Sequence, residues 1–179
     1  MGAPAVPAPA QFFCGVIFDP EFSLEPIITQ LEDVLGAVDF TSAVFDFDYT
    51  NYYEAEMGAG LKKAFYAFEA LRPPDELAAI KLRTNAIEER ALRPAPGGGQ
   101  GRIFNLDPGY LDQHKIVLAT TKNNNHRVYL GQGIYAESTL AFVNKAYRPW
   151  PWTYPDYGSD AYTEFFMELR KRYLAKLRD

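Results

Sequence analysis

The sequence predicts an α+β domain: a ferredoxin-like βαββαβ core, a β-rich C-terminal extension and a terminal helix. Three observations predict it. The opening segments read strand, helix, strand, strand, helix, strand. After residue 114 short apolar runs alternate with turn residues, as hairpins do, and the last stretch returns to a helical stripe. The right-handed crossover rule converts the opening order into a split βαβ arrangement.

Each element has its own signal. Residues 11–18, QFFCGVIF, form a buried strand ended by Asp19-Pro20. Ser23 is placed as the N-cap of a helix whose stripe is Ile27, Ile28, Leu31, Val34, Leu35 and Val38, running to about Gly36. Residues 42–49 alternate as a strand, with Phe45, Phe47 and Tyr49 on one face and Val44, Asp46 and Asp48 on the other. A further strand covers 62–70. Pro73-Pro74-Asp75 opens a second helix to about Leu92, with Leu77, Ile80, Thr84, Ile87 and Ala91 inward. PAPGGGQG, from Pro94 to Gly101, is a loop that lacks the Lys-Ser/Thr pair of a phosphate loop. Strands follow at 102–106, 114–121, 126–130, 133–143 and 145–150, with hairpin turns at Gly131-Gln132-Gly133 and Asn144-Lys145. Asp160 is placed as the cap of a final helix with the stripe Tyr162, Phe165, Phe166, Leu169, Tyr173 and Leu177.

Composition narrows the function classes. At 179 residues the chain suits one domain over residues 11–179, and residues 1–10 read as a flexible tail. That tail has neither the basic start nor the apolar run of a secretory signal, and Val6 stands where myristoylation wants serine or threonine. No run approaches the roughly 20 apolar residues of a membrane helix. A net charge of −5 argues against a nucleic-acid backbone as partner. The basic run Arg170-Lys171-Arg172 complements a helix C-terminus. The single Cys14 excludes an internal disulfide and suits a reducing compartment, so the expected address is cytoplasmic.

Several longer stretches carry a resemblance: FDFDYTNYYEAEMG from 45, IKLRTNAIEE from 80, FNLDPGYL from 104, KIVLATTKNNNHRVYLGQGIYAE from 115 and PWTYPDY from 151. From about Phe12 onward the chain resembles a prokaryotic family catalogued as domain of unknown function 4416. The resemblance implies no activity, so it transfers no catalytic residue. A GTP-binding label on some members finds no Walker-type loop here.

The residues themselves offer five constellations. Asp46-Phe47-Asp48-Tyr49-Thr50 imitates the Asp-x-Asp-x-Thr motif of haloacid-dehalogenase-type phosphatases, in which one aspartate attacks phosphorus, the other handles protons and magnesium screens charge. Asp156 or Asp160 would supply the last acidic residue of that magnesium site; the alternative leaves Asp46 and Asp48 on a solvated strand face. On the second helix Lys81, Asn85 and Glu88 share one face, either as a solvated flank or as the wall of a cleft. Asn105, Asp107 and Tyr110 surround Asp107-Pro108-Gly109, read as a turn by its chemistry. His126, Glu137 and Lys115 come from the following strands. A three-residue loop register pairs Leu130 with Ile134 and places Arg127 opposite Glu137. His126 beside Glu137 has the makings of a general base or metal ligand. The aromatic run Trp150, Trp152, Tyr154 and Tyr157 is either a lid or a strap over the core.

These constellations lead to a small-molecule binding protein or enzyme with a polar, tyrosine-rimmed pocket. His126, Glu137, Asp107 and Lys115 are its catalytic candidates, and Lys81, Asn85, Glu88, Asn105 and Tyr110 its binding candidates. The alternatives are a magnesium-dependent phosphatase on Asp46 and Asp48, or a non-catalytic protein-interaction module. No residue pattern specifies a cofactor, a metal or an oligomeric state.

Overall fold

The computed structural model describes residues 2–178. It is a mixed α+β architecture built on one nine-stranded, antiparallel sheet. Strand β1 (Ala10–Phe18) is buried along its whole length and pairs on one side with β4 (Lys62–Arg72) and on the other with β7 (Phe104–Leu111). Beyond β4 lies β2 (Val38–Thr41), and the two-residue β3 (Phe45–Asp46) also pairs with β4. Beyond β7 come β8 (Lys115–Thr120), β10 (Ile134–Val143) and β11 (Ala146–Pro149), with β9 (Arg127–Gly131) as a hairpin partner of β10. The path across the sheet is therefore β11-β10-β8-β7-β1-β4-β2.

Strand alternation divides the core in two. Phe12, Cys14, Val16 and Phe18 point to one face, where helices α1 (Glu25–Leu35) and α3 (Leu77–Glu88) bury their apolar stripes. Phe13 points to the other face with Phe65 and Ala67, beneath helix α4 (Asp160–Lys176). Phe13, Phe65, Phe165 and Phe166 meet there in edge and stacked contacts 5.0–6.2 Å between centroids. Each such pair contributes about 0.5–1.5 kcal/mol beyond its burial. The early helices thus share a face, as two single-striped helices on one sheet should.

Several expected elements differ. The expected strand over 42–49 shrinks to the two-residue β3, and β2 forms ahead of it over Val38–Thr41. Its alternation survives, with Phe47 buried and Asp46 and Asp48 exposed, but only Phe45–Asp46 keeps a ladder. Val38 starts β2 instead of completing the α1 stripe. Ser23 lies one residue too early to be the N-cap, although its Oγ still accepts from Glu25 N. The second helix opens with a 3-10 turn (Pro74–Glu76) and stops at Glu88, leaving Ala91 outside it. A short helix α2 (Glu54–Met57) follows β3, and the glycine-rich loop is flanked by a small hairpin, β5 (Leu92–Pro94) and β6 (Gln100–Arg102). Ser159, rather than Asp160, caps α4, its Oγ accepting from Tyr162 N. Asn144 and Lys145 both take positive φ, the geometry of a tight two-residue hairpin turn. Among the described residues no helix is long and apolar enough to cross a membrane.

The largest correction is at Asp107-Pro108-Gly109. These residues are not a turn but the middle of β7, opposite Gly15, Cys14 and Phe13 of β1. Turn chemistry is overridden by an apolar register that buries Leu106 and Leu111 on either side.

Candidate functional site

Pro108 shapes the site. Strand β7 pairs with β1 along its length, but with β8 only at Gly109, Tyr110 and Leu111. Proline has no N–H to give to a ladder, and pairing with β8 begins immediately after it. Gly109 lets the strands close up: a Cβ there would lie 2.6 Å from Val117 O. Before Pro108 the sheet is split. Strand β8 pairs onward with β10, and a cavity of about 740 Å³ lies beside the unpaired side of β7. Side chains from both sheet faces reach it: Lys81, Asn85 and Glu88 of α3, Asn105 and Asp107 of β7, and Lys63, Asp156 and Tyr157 from the α4 side. Tyr49, Tyr52, Tyr53 and Tyr154 also line it.

One wall is a hydrogen-bonded network. Glu88 is buried; its Oε1 accepts from Leu106 N at 2.6 Å and its Oε2 from Arg102 Nη1 at 2.7 Å. Arg102 also donates to Asn105 Oδ1 and, through Nε and Nη2, to both oxygens of Glu56. Asn105 Nδ2 passes the chain to Asp107 Oδ2 at 2.8 Å. Lys81 Nζ donates to Leu106 O at 2.7 Å and stands 3.9 Å from Asp107 Oδ1. Burial pushes the Glu88 carboxyl above its ordinary value in spite of Lys81 and Arg102. Half-exposed Glu56 goes the other way, held down by its hydrogen bonds from Arg102. Burial raises the Tyr53 and Tyr154 hydroxyls, so both stay protonated donors at neutral pH.

The opposite wall is an ion pair inside aromatic rings. Lys63 Nζ lies 2.6 Å from Asp156 Oδ2, with side-chain exposures of only 2% and 6%. The ammonium sits 4.4 Å from the Tyr157 ring centroid and 5.3–5.4 Å from those of Phe47, Phe65 and Tyr162. Gly15 makes room beneath it, since a Cβ there would approach Lys63 Cε and Tyr157 Oη at 3.3 Å. Tyr157 is 2% exposed, and its hydroxyl has no hydrogen-bond partner among the described residues. Burial, with Asp107 and Asp156 nearby, keeps that hydroxyl protonated well beyond neutral pH.

Of the residues singled out from the sequence, Lys81, Asn85, Glu88, Asn105, Asp107 and Glu137 meet at this cavity. Three do not line it. Tyr110 follows the even phase of β7 and packs on Phe12, under the helices. Lys115 turns to Asp112 at the far end of β8, 2.6 Å away. His126 lies behind Glu137, its Nε2 3.1 Å from Glu137 Oε2 and its ring stacked on Trp152 at 5.2 Å. The reason is register. Arg127 is opposite Glu137 as expected, and its Nε donates to Oε2 at 2.8 Å. Ile134, however, pairs with Gly131 rather than Leu130, and the mismatch is absorbed as a shift at Tyr135.

Asp46 and Asp48 line a separate depression of about 260 Å³, Asp46 paired with Lys62, while Asp156 belongs to the main cavity. The three carboxylates expected to converge on magnesium are thus divided between two sites. Among the described residues no cluster of three His, Cys, Asp or Glu side chains has metal-binding geometry. The aromatic run also divides: Tyr154 and Tyr157 line the cavity, whereas Trp150 stacks on Trp152 at the surface.

Sequence reading passed over Lys63 and Arg102, took Tyr157 only as part of an aromatic lid or strap, and weighed Asp156 only as a phosphatase residue. Lys63 did leave a signal, because it shares its strand phase with the buried Phe65 and Ala67. The wall now offers Asp107, Glu137 and Asp156 as acceptors and Lys63, Lys81 and Tyr157 as donors, enough to bind and orient a small polar molecule.

A family model described as "Domain of unknown function (DUF4416)" matches residues 8–173. No curated protein and no solved structure matches the chain.

Proposed function

From the premise that this chain belongs to the DUF4416 family, we propose that it is a small-molecule binding protein or enzyme whose site is the cavity beside β7. The observation that carries the reading is the convergence of Lys81, Glu88, Asn105, Asp107 and Glu137 on one concave, tyrosine-lined space. Several of these side chains are buried, and burying charges together is unfavourable unless they are paired or serve a ligand. Asp107 and Glu137 are the proton acceptors of such a site, and Lys81, Asn85, Glu88 and Asn105 its binding wall. His126 would act through Glu137.

The test is native mass spectrometry of the full chain after mild purification, followed by thermal-shift screening against a metabolite library. A ligand at a hundredfold excess over its Kd should raise Tm by roughly 5–10 °C, and Asp107→Asn should reduce that shift. A chain that carries nothing and responds to no compound would overturn the proposal.

The order β7-β1-β4-β2, with α1 and α3 on one face, favours a ferredoxin-like reading of the first half, extended by β8 to β11. Residues 11–179 are read as one domain. The buried, unpaired Cys14 favours a cytoplasmic address, and a net charge of −5 disfavours nucleic acid as partner. The phosphatase and interaction-module readings gain no comparable observation.

A further inference from the structure

Resting on that reading of the cavity, we infer that its ligand is an uncharged, hydroxyl-rich ring, a glycosyl group either free or within a nucleoside, held between Tyr157 and Asp107. Charge balance is the first argument. The inner cations already have their anions: Lys63 has Asp156, Lys81 has Asp107, and Arg102 has both Glu88 and Glu56. Glu137 is matched by Arg127 outside the lining. At the mouth, exposed Glu89 and Lys122 offset each other in sign. A ligand with net charge would enter an interior whose ions are all engaged and lose its hydration without gaining a free counter-ion.

Hydrogen-bonding capacity is the second argument. Lys63 uses one of its three N–H groups on Asp156, and that carboxylate accepts no other hydrogen bond among the described residues. Tyr157 lines the cavity, and its hydroxyl, itself closed off from solvent, has no hydrogen-bond partner among the described residues. Asp107 Oδ1 has only the distant Lys81. The site thus presents unused donors beside unused acceptors. A hydroxyl group is both, so adjacent hydroxyls on one ring meet such a wall better than a carboxylate or phosphate, which only accepts. The unpartnered hydroxyls of Tyr147 and Tyr162 do not line the cavity. Aromatic faces supply the third argument: Phe47, Tyr53 and Tyr154 line the space and suit the C–H face of a sugar.

The experiment is saturation-transfer NMR and calorimetry on the full chain. One arm uses glucose, galactose, ribose and N-acetylglucosamine; a second uses adenosine and uridine; glucose 6-phosphate, adenosine monophosphate and glutamate are the charged comparison. At least one neutral compound should bind, and the arm it belongs to identifies the source of the ring. Tyr157→Phe, which removes only the hydroxyl, should weaken it about three- to tenfold. Asp107→Asn should weaken it by about tenfold or more. Tm without ligand should stay within about 3 °C of wild type in at least one of the two variants. Binding by charged compounds alone, or neutral binding untouched by both substitutions, would overturn this inference and leave the cavity proposal standing. Binding by none of the compounds would overturn it too, and the library screen then decides the cavity separately.

Discussion

The ammonium of Lys63 and the carboxylate of Asp156, ninety-three residues apart in sequence, form a buried ion pair 2.6 Å long between the central sheet and the segment leading into α4. Each ion gave up its water for the other and for surrounding aromatic faces. The pair ties the 3-10 turn Pro155–Gly158 to β4 and so positions Tyr157 at the cavity.

Breaking one side of this pair should be severe. Asp156→Ala leaves the ammonium buried and unpaired, a loss of about 3–5 kcal/mol. The double variant Lys63→Met, Asp156→Leu should recover most of that loss, because an apolar pair of similar size carries no desolvation penalty. Urea denaturation of the single and double variants checks this. A double variant no more stable than the single one would show that packing, not charge, is at stake.

At Gly109 the contacts are steric. An added Cβ would lie 2.6 Å from Val117 O, 2.8 Å from Leu118 Cδ2 and 2.9 Å from Phe13 Cζ. Gly109→Ala should destabilise the fold by about 1–3 kcal/mol or more, as overpacking does. Amide exchange should accelerate most at the β7–β8 junction; uniform acceleration across the sheet would count against the local explanation.

Glu88 gives a pH prediction. Its folded pKa is raised by burial above the unfolded value, so the folded state binds its proton more tightly. Stability attributable to Glu88 is therefore greatest below its unfolded value near 4.5 and declines as pH rises through the window up to the folded value. Glutamine mimics the protonated form. The stability of wild type minus that of Glu88→Gln should fall as pH is raised from about 4.5 toward neutrality. A difference that grows over that range would reverse the sign and refute the account. Glu56, lowered by Arg102, contributes oppositely in wild type and variant alike, and largely cancels in the subtraction.

His126 reaches the cavity only through Glu137. His126→Ala should leave the fold intact, since Glu137 keeps Arg127 as its partner when the imidazole is removed. It should reduce ligand-induced thermal stabilisation by less than Glu137→Gln does. Equal losses would place the imidazole in direct contact with the ligand.

The two early helices were legible because each presents a single apolar stripe, and a stripe has one way to be buried. The hairpin ending at Asn144-Lys145 was legible because only two residues separate the runs it joins. Asp107-Pro108-Gly109 misled because turn propensity is local. Here the register against β1, set by Phe13, Cys14 and Gly15, outweighs it. Of the site, the polar face of α3 and the Arg127–Glu137 pairing could be read from spacing. Tyr110 was misplaced because the turn read at Asp107-Pro108-Gly109 hid the strand phase that β7 carries through it, and Lys115 because its partner Asp112 lies in the loop before β8.

By itself, then, the sequence determined what is periodic and local: helix stripes, strand alternation and tight hairpin turns. Only the tertiary structure decided that the sheet splits before Pro108 and that Lys63 meets Asp156 inside the split. The reason is physical. A cavity arises from ladder hydrogen bonds that are not made, and a buried ion pair from two chain segments arriving together. Neither leaves a trace within a short window of residues.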